Sequence, residues 1–590
     1  MNKFHNILSA KGKYWKIAES NEGYVTTAQQ KYGISNLLAK LLFQKSVLID
    51  EIPDFLDPKI KTFLPEPHSL IDMEKAVERV RAAIKAKEKV AIYGDYDVDG
   101  ASATAILTRY FKAIAVEPVI YIPDRMKEGY GVNTEALKGL YNSGVKLAIT
   151  VDCGVTAFEP IGEAKKIGLD VVVIDHHLSE STYPEAVAIV NPNRLDCTSG
   201  LNNLCASGVS FLLLVALNRK LREAGFFSNI AEPDLFSLLD LAALGTVCDV
   251  MTLTGLNRAI VSQGLKILAN RKNLGISAIC DKAALNRKPD AYSLGFIIGP
   301  RINAAGRIGD CSLGAKVLSS GDENFIKESV ETLERLNKER QDIEKKIIEE
   351  AVKQAEKQNY KSNPLIMVYS EKWHPGVIGI VAGRIKEMFN KPTAVIAISG
   401  DEGRASARSV KGIDFGSAVV NARNSGLLLA GGGHKAAAGF TVKKELIHDL
   451  YDFLCQQFEK PYTEFSNDNS IEADLALKVS SMNIELANEM EKLAPFGNGN
   501  SEPTVIIEDV KLVKTKIVGE KHMQCFISET GLAKNSSTIK GICFNCVGTD
   551  VGDKIEASLM KNASILGKIR KNIWNGTETV EFLIDDIVVY

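Results

Sequence analysis

No apolar run in this chain approaches the roughly 18 residues that a membrane span needs, and no signal-peptide pattern opens it. Both absences lead to the expectation of a cytoplasmic protein. Cysteines are few, ten in 590 residues, and their spacing forms no disulfide framework. That scarcity suits a reducing compartment. The only CxxC is Cys543-x-x-Cys546. It has no second pair and sits among β-favouring residues, so it reads as two core cysteines and not as a zinc site. Basic charge is not in excess either, because the formal net charge is −2. Nucleic-acid binders are often basic overall, so this balance argues mildly against one. It leaves room for local basic grooves offset by an acidic site. The rest is ordinary for a globular protein, with 45% hydrophobic and 24% charged residues. A chain of this length is expected to form about three or four domains.

One stretch stands out. The apolar run Val90, Ala91, Ile92 and Tyr93 ends at Gly94, and aspartates follow at alternate positions, Asp95, Asp97 and Asp99. Gly100 then opens a helix-like run. Three carboxylates so close repel one another unless a cation sits among them. Alone, the run reads equally well as a solvated acidic turn. An EF-hand loop is disfavoured, because the twelfth position from Asp95 is Ile106 and not a glutamate.

The neighbouring pattern alternates strand and helix: helix 72–86, the acidic strand, helix 101–113, strand 118–122, helix 133–142, strand 146–151, helix 158–167 and strand 170–174. That rhythm predicts α/β architecture with a parallel, doubly wound sheet. Ligands of such sheets bind beyond the carboxyl ends of the strands. Polar residues stand at those ends: Asp152 after strand 146–151, and Asp175, His176 and His177 after strand 170–174. An apolar helix-like run, 239–248, terminates at Asp249. One aspartate at a strand end is commonly a helix cap. Several of them with two adjacent histidines point to a metal site. Carboxylate oxygen and imidazole nitrogen suit Mn²⁺ or Mg²⁺, and six such ligands suit two divalent metal ions clamping a phosphate.

Residues 320–360 predict a long charged linking helix. Residues 363–460 predict a second α/β unit, with strands 365–369 and 394–398 around helix 377–388. From 461 onward the pattern turns β-rich and predicts a small OB-like barrel, where Trp574, Lys568, Arg570 and Lys571 could serve a single strand. Residues 1–70 read as an N-terminal extension, of which the half-apolar segment 55–65 is expected to pack on the next domain.

These motifs together resemble a family. Gly94-Asp-Tyr-Asp-Val-Asp-Gly100, Asp152, Asp175-His176-His177 and Asp249 resemble the motif series of the DHH phosphoesterase superfamily. Pro123-Asp-Arg-Met-Lys-Glu-Gly-Tyr-Gly131, Arg301-Ile-Asn-Ala-Ala-Gly-Arg307, Trp373-His-Pro-Gly-Val-Ile-Gly-Ile-Val-Ala-Gly-Arg384, Gly403-Arg-Ala-Ser-Ala-Arg408 and Gly431-Gly-Gly-His434 narrow it. The whole resembles RecJ-type single-stranded-DNA-specific exonucleases, with Pro375 and Gly383 as local departures. The resemblance implies an N-terminal extension (1–70), a DHH domain (71–320), a linking helix (321–360), a DHHA1-like domain (361–460) and an OB-like β-barrel (461–590).

It also implies roles. Asp97, Asp152 and Asp95 hold one ion. Asp99, Asp152, His176 and Asp249 hold the other, so that Asp152 bridges. His177 donates a hydrogen bond to the phosphate, and Asp175 orients a histidine. Arg301, Arg307, Arg384, Arg404 and Arg408 contact substrate, helped by Asn303, His374, Ser406 and His434. The backbone amides of Gly431–Gly433 could form an anion nest. The implied reaction is 5′→3′ digestion of single-stranded DNA to 5′-mononucleotides, in recombination and repair. Implied partners are a single-stranded-DNA-binding protein and a RecQ-like helicase. The rivals are a DHH enzyme for dinucleotides, which typically lacks the barrel, and a non-catalytic replication scaffold, which would show eroded ligands.

Overall fold

The computed structural model describes residues 4, 7–124, 127–129, 131–358, 362–466, 469–530, 538–574 and 577–590. The chain divides into two compact units. One joins Pro65–Met251 with Gly264–Asp468, and the other joins Met1–Leu64, Thr252–Gln263 and Asn469–Tyr590.

The first unit contains a five-stranded, all-parallel sheet. Its strand order is Val119–Tyr121, Lys89–Gly94, Val145–Val151, Asp170–Ile174 and Ala188–Val190. Both faces are covered, which is why these strands are nearly continuous apolar runs. Ala91, Tyr93, Ala148, Val171 and Val173 pack against Leu137, Leu140, Ile161 and Ala164 of two helices. The alternate residues Val90, Ile92, Ile149, Val172 and Ile174 are buried on the other side. There Met73–Ala86, Val98–Ala113 and Ala206–Glu223 pack on the sheet. The last strand, Ala188–Val190, was not expected from sequence. Three residues are too few to show a period.

The helix after the acidic loop starts at Val98, earlier than the predicted residue 101. Asp97 is its cap and accepts a hydrogen bond from Gly100 N at 3.0 Å. Asp99 and Gly100 therefore lie in the first turn. A Cβ on Gly100 would stand 2.7 Å from Asp95 O, so only glycine lets the loop fold back on the helix.

A 35-residue helix, Glu323–Lys357, runs on to the second sheet of this unit. That sheet is ordered Ala430–His434, Ala437–Lys443, Glu402–Arg408, Thr393–Ser399 and Ile366–Ser370, and only the last pair is parallel. Helix Ile378–Phe389 and the end of the long helix bury one face against Ile366, Val368, Val395 and Ala397. The expected nest at Gly431–Gly433 is corrected here. These residues form a strand paired with Ala438–Phe440, so their amides belong to an extended backbone.

The second unit is a closed barrel of five strands, Val505–Val518, His522–Glu529, Thr538–Cys543, Thr577–Val589 and Asn562–Trp574. Pairing of the first strand with the last closes it. Its first strand, Val505–Val518, is irregular between Ile507 and Val510. Residues 1–64 belong to this second unit. Tyr14–Ile17 pairs in parallel with Ser470–Ala473, and Val25, Leu38, Leu41 and Leu42 share a core with Ile507, Ile565 and Phe582. Trp15 Nε1 donates to buried Asp586 at 3.2 Å. Contacts between opposite ends of a chain leave no local pattern, so sequence periodicity cannot show them. Cys543 and Cys546 are buried in this core, and all ten cysteines are free thiols. Among the described residues no helix is long and apolar enough to cross a membrane.

Candidate metal centre

The parallel sheet delivers its strand ends to one edge, and the acidic side chains meet there. Ligand atoms of Asp95, Asp97 and Asp152 lie within 4.8 Å of one another, as do those of Asp99, His176 and Asp249. A third overlapping set is Asp152, His176 and His177. His176 Nε2 stands 3.2 Å from Asp152 Oδ1, 3.4 Å from Asp249 Oδ2 and 3.9 Å from Asp99 Oδ2. Asp152 thus belongs to the first set and meets the second through His176.

The local geometry is built around these side chains. Asp152 has φ 63°, a left-handed conformation unusual for a residue with a Cβ. Its amide still donates to Ile174 O at 3.0 Å, so the neighbouring strand holds the strained residue in place. Asp99 accepts from Ala206 N at 2.6 Å and Ser207 N at 3.0 Å, at the start of an 18-residue helix. That helix end favours its charge. Gly245 makes room, since a Cβ there would stand 2.4 Å from Asp99 Oδ1.

Asp175 is buried and organises the two histidines. It accepts from Val155 N at 3.0 Å, His176 N at 2.7 Å, His177 N at 3.1 Å and His177 Nδ1 at 2.8 Å. Two residues that the sequence reading missed complete this turn. Asn193 Nδ2 donates to His176 O at 2.5 Å, and Asn191 Nδ2 donates to His177 O at 2.9 Å. Their signal was Val190-Asn-Pro-Asn193, directly after the overlooked strand.

Electrostatics express the same crowding. Burial, then the charges of Asp97 and Asp99, push the Asp152 carboxyl well above its usual range. Burial and Asp99 push Asp249 up to about 8. Burial also pulls His176 down. For Asp175, burial is outweighed by the hydrogen bond and charge of His177 and by backbone donors, which hold it at about 2. In return Asp175 outweighs the burial of His177 and lifts the imidazole to about 9. Asp152 Oδ1 and Asp249 Oδ2 are buried and accept no hydrogen bond. Buried carboxylate oxygens in that condition fit a hard divalent cation, and the oxygen-rich donor set fits Mn²⁺ or Mg²⁺.

The expected substrate residues divide into two groups. On strand Glu402–Arg408, residues Arg404, Ser406 and Arg408 alternate with Ala405 and Ala407 and so share one face. Across the sheet their partners are Thr441, Gly439 and Ala437, then Ala430, Gly432 and His434. This half of the face is open and lined by small residues, with two guanidiniums and an imidazole among them. Gly379 at the start of the covering helix leaves space beside Ser406 and Arg408. His374 Nδ1 accepts from Gly376 N at 3.1 Å.

Arg408 Nη1 donates to Ala407 O at 2.9 Å, and burial pulls its guanidinium down. Three other arginines are held by protein groups as well. Arg301 pairs with Glu334 at 2.6 Å, Arg307 donates to Gly376 O at 2.9 Å, and exposed Arg384 lies 3.6 Å from Glu344. Arg340, not expected from sequence, is buried beside them and donates to Glu344 at 2.8 Å and Asn337 at 2.8 Å. Asn303 lies half-buried between Arg301 and Arg307 on helix Gly299–Ile308. Of the expected motif 123–131, Arg125, Met126 and Tyr130 lie outside the described residues. In the barrel, Lys571 pairs with Glu491 at 3.1 Å and Lys568 with Glu502 at 3.6 Å, while Arg570 is exposed. The Trp574 side chain lies outside the described residues.

A doubly wound sheet ending in this acidic and histidine edge, joined to a second small sheet, defines a DHH-type phosphoesterase. Family models agree: the DHH family N-terminal domain matches residues 89–246, the DHHA1 domain 339–460 and the RecJ OB domain 473–586. The chain is 32% identical over 582 residues to the single-stranded-DNA-specific exonuclease RecJ of Bacillus subtilis, covering 98% of this chain and 71% of that protein. Against the Salmonella typhimurium RecJ it is 33% identical over 549 residues, covering 90% and 92%. The chain belongs to the RecJ family of single-stranded-DNA-specific exonucleases. Among solved structures, RecJ of Thermus thermophilus in complex with Mn²⁺ superposes with a TM-score of 0.77 at 26% identity, covering 97% of this chain and 79% of that one. An exonuclease RecJ bound to manganese gives 0.56 at 32% identity, covering 68% and 98%.

Proposed function

We propose that this chain is a metal-dependent exodeoxyribonuclease that digests single-stranded DNA from its 5′ end and releases 5′-mononucleotides. The observation that carries this reading is the convergence of Asp95, Asp97, Asp99, Asp152, His176 and Asp249 on one buried edge. Bound there, two Mn²⁺ or Mg²⁺ ions supply an activated water and neutralise charge on the phosphate. Asp95, Asp97 and Asp152 would hold one ion, and Asp99, Asp152, His176 and Asp249 would hold the other. His177, kept protonated by Asp175, donates to a phosphate oxygen as negative charge develops. Arg404, Arg408, Ser406 and His434 seat phosphate groups on the open sheet face, where a guanidinium fork matches phosphate oxygens. Asn303, Arg307, His374, Arg301 and Arg384 line the approach. The barrel binds the strand as such barrels do, by backbone charge and stacking.

The reading places the enzyme in recombination and repair in a reducing cytoplasm, with a single-stranded-DNA-binding protein and a RecQ-like helicase as partners. Digestion of 5′- and 3′-labelled single strands and duplexes, with Mn²⁺, Mg²⁺ or a chelator, tests it. Metal-dependent release of the 5′ label as a mononucleotide, from single strands only, is expected. Chelator-resistant cleavage, attack from the 3′ end, or cleavage of dinucleotides alone overturns it.

A further inference from the structure

Asp249 is held differently from its neighbours in the metal centre. Asp99 accepts two backbone amides, and His176 sits in a turn fixed by Asp175 and Asn193. Asp249 follows helix Leu239–Cys248, its side chain is 26% exposed, and its Oδ2 accepts no hydrogen bond. Its aim therefore depends on the backbone around it. Asp249 N donates to Gly245 O at 2.9 Å, and Met251 N donates to Thr246 O at 3.1 Å. Between them Val250 has φ 57°, a left-handed conformation that strains a β-branched residue and that helix ends usually give to glycine. Val250 is 64% exposed, so burial of its side chain does not choose that conformation.

The chain leaves the first unit at Met251, and Thr252–Gln263 belongs to the second. There it is fastened at several points. Leu253 N donates to Asn498 O at 2.8 Å. The loop around Asn498 closes so tightly that a Cβ on Gly499 would stand 2.3 Å from Thr252 Cγ2, and one on Gly497 would stand 2.7 Å from Leu253 Cδ1. Arg258 is 2% exposed. Its Nε donates to Phe55 O at 3.0 Å, and its Nη2 donates to Leu493 O at 3.0 Å and Ala494 O at 2.8 Å. Its Nη1 donates to Pro495 O at 3.4 Å, and the Phe55 ring lies 3.8 Å from the guanidinium. A cation buried on carbonyls and a ring is costly, and an apolar side chain of similar volume would pack there at less cost. What the planar fork adds is fixed geometry, because one side chain ties residues 55 and 493–495 to residue 258.

We propose that Arg258 is a positioning residue for Asp249: by fixing the segment that begins at Thr252, it holds the backbone that aims this ligand at its ion. The link at Val250 carries the hold, because a strained conformation persists only where the structure on both sides imposes it. The proposal rests on the two-ion reading above.

Calorimetric titration of the full chain with Mn²⁺ alone, without DNA, tests it. The wild type is expected to bind two ions. Arg258→Met should weaken one of them about ten-fold, as loss of a group that orients a metal ligand does, and leave the other unchanged. Asp249→Ala should lose the same ion, and adding Arg258→Met to Asp249→Ala should change Mn²⁺ binding no further. A general loosening of the fold would instead weaken both ions and would add to the effect of Asp249→Ala. Val250→Gly leaves Arg258 in place and relaxes the link. It should weaken the same ion a few-fold while the metal-free melting temperature rises, since glycine takes the left-handed conformation without strain. Unchanged Mn²⁺ binding by either variant overturns the proposal, and so does equal weakening of both ions or an additive loss. Should Arg258→Met fail to fold, Val250→Gly decides alone, by the same outcomes. A wild-type chain that binds fewer than two ions overturns the two-ion reading itself, which separates the two failures.

Discussion

The two sheets of the first unit carry their charged side chains in opposite ways. The parallel sheet buries its charges. Asp99, Asp152 and Asp175 are at most 2% exposed, and like charges crowd them. The second sheet leaves Arg404 and His434 in water and Arg408 partly buried, spaced by glycine and alanine. Removing carboxylates from water without a counter-charge is costly, whereas a solvated guanidinium costs little. The acidic edge is therefore destabilising until its cations arrive, and the cationic face is indifferent to its anion.

The largest test of that contrast is Asp152→Asn, because asparagine tolerates the left-handed backbone that Asp152 adopts. Loss of the shared ligand removes several kcal/mol of transition-state stabilisation, so Mn²⁺-dependent digestion should fall by about 10³-fold or more. The metal-free variant should melt higher than the wild type, because a buried charge with a raised pKa is gone. Calorimetry with and without Mn²⁺ reads both signs. A lower metal-free melting temperature would mean that the acidic edge carries no stored repulsion, and the contrast between the sheets would fail.

Asp175→Asn sharpens the comparison within the acidic edge itself, since the Asp175 carboxyl is lowered where those of Asp152 and Asp249 are raised. Its folded value of about 2 lies below the usual 3.8, so its stabilisation is present above pH 3.8 and is lost as pH falls through 2. His177 rises from 6.5 to about 9, so its share is present below pH 6.5 and is lost as pH rises through 9. With the partner neutralised, the basic limb of the kcat/KM profile should move from about pH 9 toward the ordinary imidazole value. Activity at neutral pH should fall about 10–100-fold, as for other residues that orient a ligand histidine. An unmoved basic limb would detach His177 from the reaction.

The same contrast explains what was legible in the sequence. Buried strands with aspartate at their ends leave a dense local signal, and helix 158–167, strand 170–174 and helix 239–248 were read with the boundaries the structure shows. The sheet's parallel order followed from the alternation alone. The cationic face was legible only as separate motifs. That Arg404, Ser406, Arg408 and His434 share a surface depends on strand register, which no local pattern encodes. Motif reading named Arg301, which pairs with Glu334, and passed over Arg340, which lies in an unremarkable charged helix. Asn191 and Asn193 escaped because they act through carbonyls of the histidine turn, a role that leaves no chemical signature in sequence.

On the cationic face, Arg404→Gln and Arg408→Gln should act on affinity first. KM should rise about ten-fold for each, with a smaller change in kcat, as expected for charge-assisted phosphate contacts. The slope of log affinity against log salt should become shallower by about 0.7 for each single-strand phosphate contact removed. The melting temperature of Arg404→Gln should stay within a degree or two of the wild type, since that side chain is exposed, whereas Arg408→Gln also removes a donor to Ala407 O. Binding with an unchanged salt slope would show that these guanidiniums meet no phosphate, and would leave the second sheet without its half of the comparison.

The smallest expected effect is the most discriminating, because its two readouts move in opposite directions. Gly432 lies in strand Ala430–His434 opposite Gly439, is exposed, and would place an added Cβ in open space. Gly432→Val therefore strains nothing and should stabilise the sheet by about 0.5–1 kcal/mol, since valine suits a strand and glycine does not. If the small residues of this face exist to let a phosphate backbone lie close to the sheet, two added methyl groups lift it away from Arg404 and Arg408. KM for single strands should then rise by a few-fold while the protein melts higher. On the acidic edge, by contrast, Asp152→Asn gains stability by losing charge. Here stability is gained by losing space. A rise in melting temperature with no change in KM would mean that the glycines serve only the packing of the strands, and that the open face is not where the strand lies.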